Sequence, residues 1–166
     1  MTPTAALPVA QPAPPGLWVI HCDGSAIPNP GRMGLGATLL APDGQQHTLS
    51  HTSSLVGCNN EAELRALMAA LQQAHALGAR AIAVRSDSSL LIEQLRPLQP
   101  GQRPAAPMAR LAELFDSARA GLARFDSVQW QWIPRHRNSA ADTLARAALG
   151  APAKVTPHPS HKKKKR

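Results

Sequence analysis

No stretch of the 166-residue sequence approaches the roughly 18 uninterrupted apolar residues of a membrane-spanning helix, so no such helix is expected. Cysteine is scarce: Cys22 and Cys58 are the only two, without CxxC or CxxH spacing. That excludes a disulfide framework and gives no zinc-ligand pattern, so both read as thiols of a reducing compartment. The first sixteen residues, MTPTAALPVAQPAPPG, carry no charge and five prolines. They lack the basic start and unbroken apolar run of a signal peptide and read as a disordered leader, 1–16. A soluble, cytoplasmic protein is the expectation.

Acids are outnumbered, ten against eighteen lysines and arginines, for a net charge of +8. Residues 151–166 hold Lys154, Lys162, Lys163, Lys164, Lys165 and Arg166 with no acid, which leaves the rest of the chain at only +2. The basic excess is therefore mostly a tail, 150–166, too rich in Pro, His and Ser to pack. Its run 162–166 is expected to add non-specific affinity for a polyanion through counterion release. The remainder, 17–149, has the length of one domain with its own core.

Within that domain, Leu17 to Cys22 alternates bulky and polar residues, and Gly34 to Pro42 and Gln45 to Ser54 follow across short turns; these read as three antiparallel strands. Leu64, Leu67, Met68 and Leu71 recur at helical spacing from Asn60 until Gly78. Ala81–Asp87 is a densely apolar strand, followed by a short helix that Pro97 ends. Met108–Leu122 predicts a further helix, Ser127–Ile133 a strand and Ser139–Leu149 a closing helix. The order βββ-α-β-α-α-β-α predicts an α/β fold: a mixed five-stranded sheet, a three-strand antiparallel meander plus two parallel strands, with helices on both faces.

Four acids stand out by position. Asp23 is expected at the end of the first strand, Asp87 at the end of the fourth, and Glu63 and Asp142 in the first turns of helices. In an open sheet such ends meet in one crevice. Each has a structural explanation taken alone. Asn60/Glu63 and Ser139/Asp142 have capping-box spacing, Asp87 suits an N-cap, and Asp23 suits an Asx-turn. Together those explanations require four coincidences.

The stretches CDGSAIPNPG, NNEAEL, SDSSLLIEQL and RNSAADTLA occur in that order over about residues 17–149. In these motifs the chain resembles the type I ribonuclease H family, and the shorter-loop branch of it. The resemblance implies a ribonuclease H-like fold in which Asp23, Glu63, Asp87 and Asp142 bind metal. It also implies hydrolysis of the RNA strand of RNA/DNA hybrids to 3′-hydroxyl and 5′-phosphate ends by a monomer. Oxygen-only ligands favour Mg²⁺, with Mn²⁺ possible, over zinc. In a two-metal site one ion activates the attacking water and the other stabilises the leaving oxygen. Matching residues expected at the substrate are Asn29, Asn59, Asn60, Arg135 and Asn138, where the RNA 2′-hydroxyl distinguishes the strands.

Two departures from the family pattern bear on turnover and grip. The loop between the last strand and last helix is compressed to Pro134–Asn138, where His136 is the candidate for proton transfer or product release and Arg135 its competitor. The basic, tryptophan-bearing protrusion of many relatives is missing: residues 96–110 hold Arg96, Arg103 and Arg110 but no aromatic. Trp130 and Trp132 share one face of the last strand and are assigned to packing. The alternatives in view are a catalytically inactive nucleic-acid-binding module on the same fold and a related metal nuclease acting on DNA.

Overall fold

The computed structural model describes residues 16–152. The leader apart from Gly16, and the tail from residue 153 with its basic run 162–166, lie outside the described residues. The elements are β1 (Leu17–Ile27), β2 (Gly31–Leu40), β3 (Gln46–Gly57), α1 (Asn59–Ala76), β4 (Ala81–Ser86), α2 (Ser89–Leu95), α3 (Ala112–Leu122), β5 (Ser127–Trp132) and α4 (Ser139–Ala148). Short 3₁₀ turns at Ala109–Leu111 and Arg135–Arg137 lead into α3 and α4. The expected element order is the observed one.

The sheet runs β3-β2-β1-β4-β5. β1, β2 and β3 form the antiparallel meander. β4 lies parallel to β1, and β5 parallel to β4. Local chemistry sets the turns. At the β2–β3 hairpin Asp43 Oδ1 accepts from Gln45 N at 2.9 Å and Gly44 takes φ +88°. Gly78, at φ +90°, ends α1 while Ala79 N donates back to Ala74 O, the glycine-terminated closure that β-carbon-bearing residues resist.

Alternation along β1 assigns its faces. Ile20 and Cys22 point into the core with Leu64, Leu67 and Leu71 of α1, Ile82 and Val84 of β4, and Phe115 of α3. Asp23 points the other way, toward α4. Two close approaches support these helices. A β-carbon at Gly24 would lie 2.2 Å from the backbone of Ala62 in α1, and one at Gly36, opposite Asp23, would lie 2.3 Å from Ala141 O in α4. Glycine at these strand positions lets both helices sit backbone-close on the sheet, one on each face.

Several boundaries differ from expectation for physical reasons. Asp23 does not end β1, which continues to Ile27. What ends there is its pairing with β4: the last parallel pair is His21–Arg85, and beyond it β1 is held by β2 alone. None of the expected caps forms. The N-cap positions of α1 and α4 are Cys58 and Asn138, neither with a side-chain cap bond, and α2 is capped by Ser88, whose Oγ accepts from Leu91 N at 3.3 Å. The four acids are thus not engaged as caps. Trp130 packs against the core as expected, whereas Trp132, on the edge strand beyond the helical cover, is 55% exposed.

Candidate active site

A cleft of about 430 Å³ opens where β4 stops and β1 runs on, and all four acids line it. Three of them form one group: Asp23, Glu63 and Asp87 each offer a carboxylate oxygen, all within 4.8 Å of one another. Asp23 comes from β1, Asp87 from the residue after β4, and Glu63 from α1 on the opposite face, beyond the first turn where it was expected, since the acid of that turn is Glu61. Asp142 lines the same cleft outside this group, with Oδ1 3.6 Å from Arg146 Nε one helical turn along α4.

Burial sets the electrostatics. Asp23 is 8% exposed, and its carboxyl is raised to about 8, first by loss of water and then by the charges of Asp87, Asp142 and Glu63. The hydrogen bond from Gly24 N at 2.9 Å offsets this only in part. Glu63 is also raised, again by burial first, while the Ser88 hydroxyl pulls it back. Asp87 is raised by burial against the opposing pull of Arg135, whose Nε lies 3.9 Å away. Carboxyls this close favour protons over mutual repulsion unless a cation takes the charge. An oxygen-only donor set of this density fits a hard divalent cation such as Mg²⁺ or Mn²⁺ and suits zinc poorly.

The other expected residues divide. Asn59, Asn60, Arg135 and His136 line the cleft. Asn29 does not: it is exposed, and its Oδ1 accepts from Asn59 N at 3.2 Å. Asn59 Oδ1 in turn accepts from Ala26 N at 2.8 Å, so the two asparagines tie the β1–β2 turn to the start of α1. Asn138 is buried and does not line the cleft. Its side chain is 1% exposed, and its Nδ2 donates to Cys22 O at 2.9 Å, beside Asp23 and just past the last β1–β4 pair. Its backbone carbonyl accepts from Asp142 N at 3.1 Å. Asn138 therefore links the loop bearing Arg135, the helix bearing Asp142 and the strand bearing Asp23. Asn138→Ala strands a buried carbonyl and is expected to cost roughly 1–3 kcal/mol. Urea unfolding checks this, and an unchanged midpoint would remove the link.

Residues that motif reasoning passed over also belong here. Ser88 joins α2 to Glu63, and Arg146 lines the cleft. The latter was available from spacing, since an arginine four residues after an acid on a helix faces it.

Comparison with known proteins identifies relatives of the chain. The family model described as reverse transcriptase-like matches residues 21–148. A bifunctional protein of Mycobacterium tuberculosis is 36% identical over 137 residues, 81% of this chain and 36% of that protein. The chain thus spans about a third of the length of the first curated relatives it matches. Ribonuclease HI of Halobacterium salinarum is 33% identical over 150 residues, 89% of this chain and 72% of the relative. The crystal structure of RNase H1 from that organism aligns with a TM-score of 0.72, covering 81% of this chain and 98% of that one. LC11-RNase H1, solved in complex with an RNA/DNA hybrid, is 29% identical with a TM-score of 0.67, covering 80% of this chain and 96% of that one. One fold, with a third of the residues shared with a relative that it largely spans, places the chain in the ribonuclease H family.

Proposed function

We propose that this chain is a metal-dependent endoribonuclease that hydrolyses the RNA strand of RNA/DNA hybrids to 3′-hydroxyl and 5′-phosphate products. The observation that carries the reading is the meeting of Asp23, Glu63 and Asp87 within 4.8 Å, with Asp142 on the same cleft. A pure nucleic-acid binder gains nothing from clustered carboxylates facing a polyanion. Support for the substrate comes from the hybrid bound by LC11-RNase H1.

Asp23, Glu63, Asp87 and Asp142 would hold Mg²⁺ or Mn²⁺, which supplies the Lewis-acid charge that such a phosphodiester hydrolysis needs. The protein's own groups do the positioning. Asn59, its oxygen committed to Ala26 N, turns its amide hydrogens to the substrate, and Asn60 beside it meets the RNA 2′-hydroxyl. Asn29 acts through Asn59 by fixing the turn. Arg135 sits on the rim with 82% of its side chain exposed, where it meets incoming phosphates and relieves Asp87. His136, exposed on the same short loop, moves a proton or speeds product release.

The test is cleavage of a labelled RNA/DNA hybrid with Mg²⁺ or Mn²⁺ beside RNA/RNA and DNA/DNA duplexes of the same sequence. The RNA strand of the hybrid alone should be cut, and EDTA should stop the reaction. Equal cutting of DNA/DNA would make the chain a DNA nuclease, and no cutting by folded protein with either ion would make it a binder.

A further inference from the structure

Arg146 is bound more loosely than its surroundings warrant. It lies one turn beyond Asp142 on α4, its side chain is 17% exposed, and it forms part of the cleft wall. Its contact with Asp142 is an ion pair at 3.6 Å, beyond hydrogen-bond length, and its Nε is buried with no hydrogen-bond partner among the described residues. An arginine keeps its charge at any working pH, and burying that charge is costly unless its donors are met. Arg85 also buries an unpartnered Nε, but it does not line the cleft. The guanidinium of Arg146 is a planar fork of donors, partly shielded from water, on the wall of a cleft whose floor is acidic.

Its position complements that of Arg135. Arg135 lies beside Asp87 with its side chain 82% exposed and Arg146 beside Asp142 with its side chain 17% exposed, so the cleft wall carries two cations next to its carboxylates. A nucleic-acid backbone laid over this cleft meets repulsion from the carboxylates and fixed positive charge from the two arginines. A phosphate oxygen pair is the ligand that a guanidinium fork matches bidentately.

We propose that Arg146 is a substrate-contacting residue that engages a backbone phosphate of the bound hybrid and holds the strand over the acid cluster. This rests on the hybrid-cleaving reading above. Asp142 occupies one side of the guanidinium, and the phosphate takes donors that Asp142 leaves unmet. A residue serving only to neutralise Asp142 would make the same ion pair but would leave the salt dependence of binding unchanged.

The experiment is fluorescence anisotropy of a labelled RNA/DNA hybrid across a series of KCl concentrations, with Ca²⁺ replacing Mg²⁺ and gels confirming that the hybrid stays intact. Arg146→Gln should flatten the slope of log K against log salt by about 0.7–0.9, the share of one phosphate. It should weaken binding about tenfold, and under turnover with Mg²⁺ it should raise KM more than it lowers kcat. Arg146→Lys keeps the charge, so its slope should match the wild type while its affinity falls for want of the fork. A wild-type slope in Arg146→Gln together with a fall in kcat overturns the proposal, as does wild-type affinity in Arg146→Lys. The substrate reading fails separately, by wild-type protein binding and cutting DNA/DNA as well as hybrid. In that case the slope still reports whether Arg146 contacts a phosphate.

Discussion

Asp23→Asn should abolish hybrid cleavage and, in the same protein, raise thermal stability at pH 8 in EDTA. The first effect follows from the position of Asp23 at the centre of the acid group, within 4.8 Å of both Glu63 and Asp87. Losing several kcal/mol of charge stabilisation in the transition state corresponds to a fall of about 10³-fold or more in kcat. The second follows from burial. In the folded chain the Asp23 carboxyl is raised to about 8, against an ordinary value of 3.8. Between those values the folded state keeps a proton that the unfolded state has lost. The stabilisation from this proton is complete below the unfolded value and fades as pH climbs through the folded one. Metal-free wild type should therefore melt lower at pH 8 than at pH 5, with Glu63 and Asp87 adding in the same direction. The amide cannot ionise and keeps an oxygen for Gly24 N, so the mutant escapes a penalty on the order of a few kcal/mol. Melts at both pH values, with and without Mg²⁺, check this: Mg²⁺ should restore the wild type at pH 8 and do little for Asp23→Asn. Melts of wild type and mutant that track each other across pH would mean the carboxylates are not crowded as described.

Gly36→Ala is expected to be among the most damaging small substitutions in the domain, with those at Gly24 and Gly34. The β-carbon added at Gly36 would fall 2.3 Å from Ala141 O and 2.4 Å from Ala145 N, backbone atoms of α4 that cannot turn aside. The helix must lift off β2, which costs about 1–3 kcal/mol or more, and Asp142 and Arg146 move with it. Stability and cleavage should fall together. Gly121→Ala is the matched control. It lies in α3, where the added methyl would sit 3.7 Å from Leu71 Cδ1, in ordinary contact, and alanine in a helix should add up to about 1 kcal/mol. Urea midpoints moving in opposite directions for the two changes would support this account of α4 docking. Equal small shifts would contradict it.

Much of this was legible in the sequence because it is written locally. Alternation from Leu17 to Cys22, the Leu64–Leu71 periodicity and the stop at Gly78 each follow from two- or four-residue geometry, and together they gave the order of strands and helices. The acids were legible by position, since strand ends and helix starts are where a crevice forms, although Asp23 lies within β1 and Glu63 beyond the first turn of α1. What was not legible depends on partners distant in the chain. The extension of β1 past Asp23 depends on β4 stopping first. The burial of Asn138 depends on a carbonyl 116 residues earlier. Exposure of Trp132 depends on where the helical cover ends, and the glycines of GLGATLL acquire their meaning only when α4 lies on them.

The site draws one acid from β1, one from α1, one from the end of β4 and one from α4, the last helix described. No shorter stretch of the chain contains it. During synthesis the first three carboxylates are translated well before the fourth, and Asp142 takes its place only when α4 closes over Gly34 and Gly36 on the completed sheet. On the proposed function, a chain still emerging from its ribosome would lack the fourth carboxylate of its hydrolytic centre. The order of elements along the polypeptide would then delay hydrolytic competence until the last helix is in place.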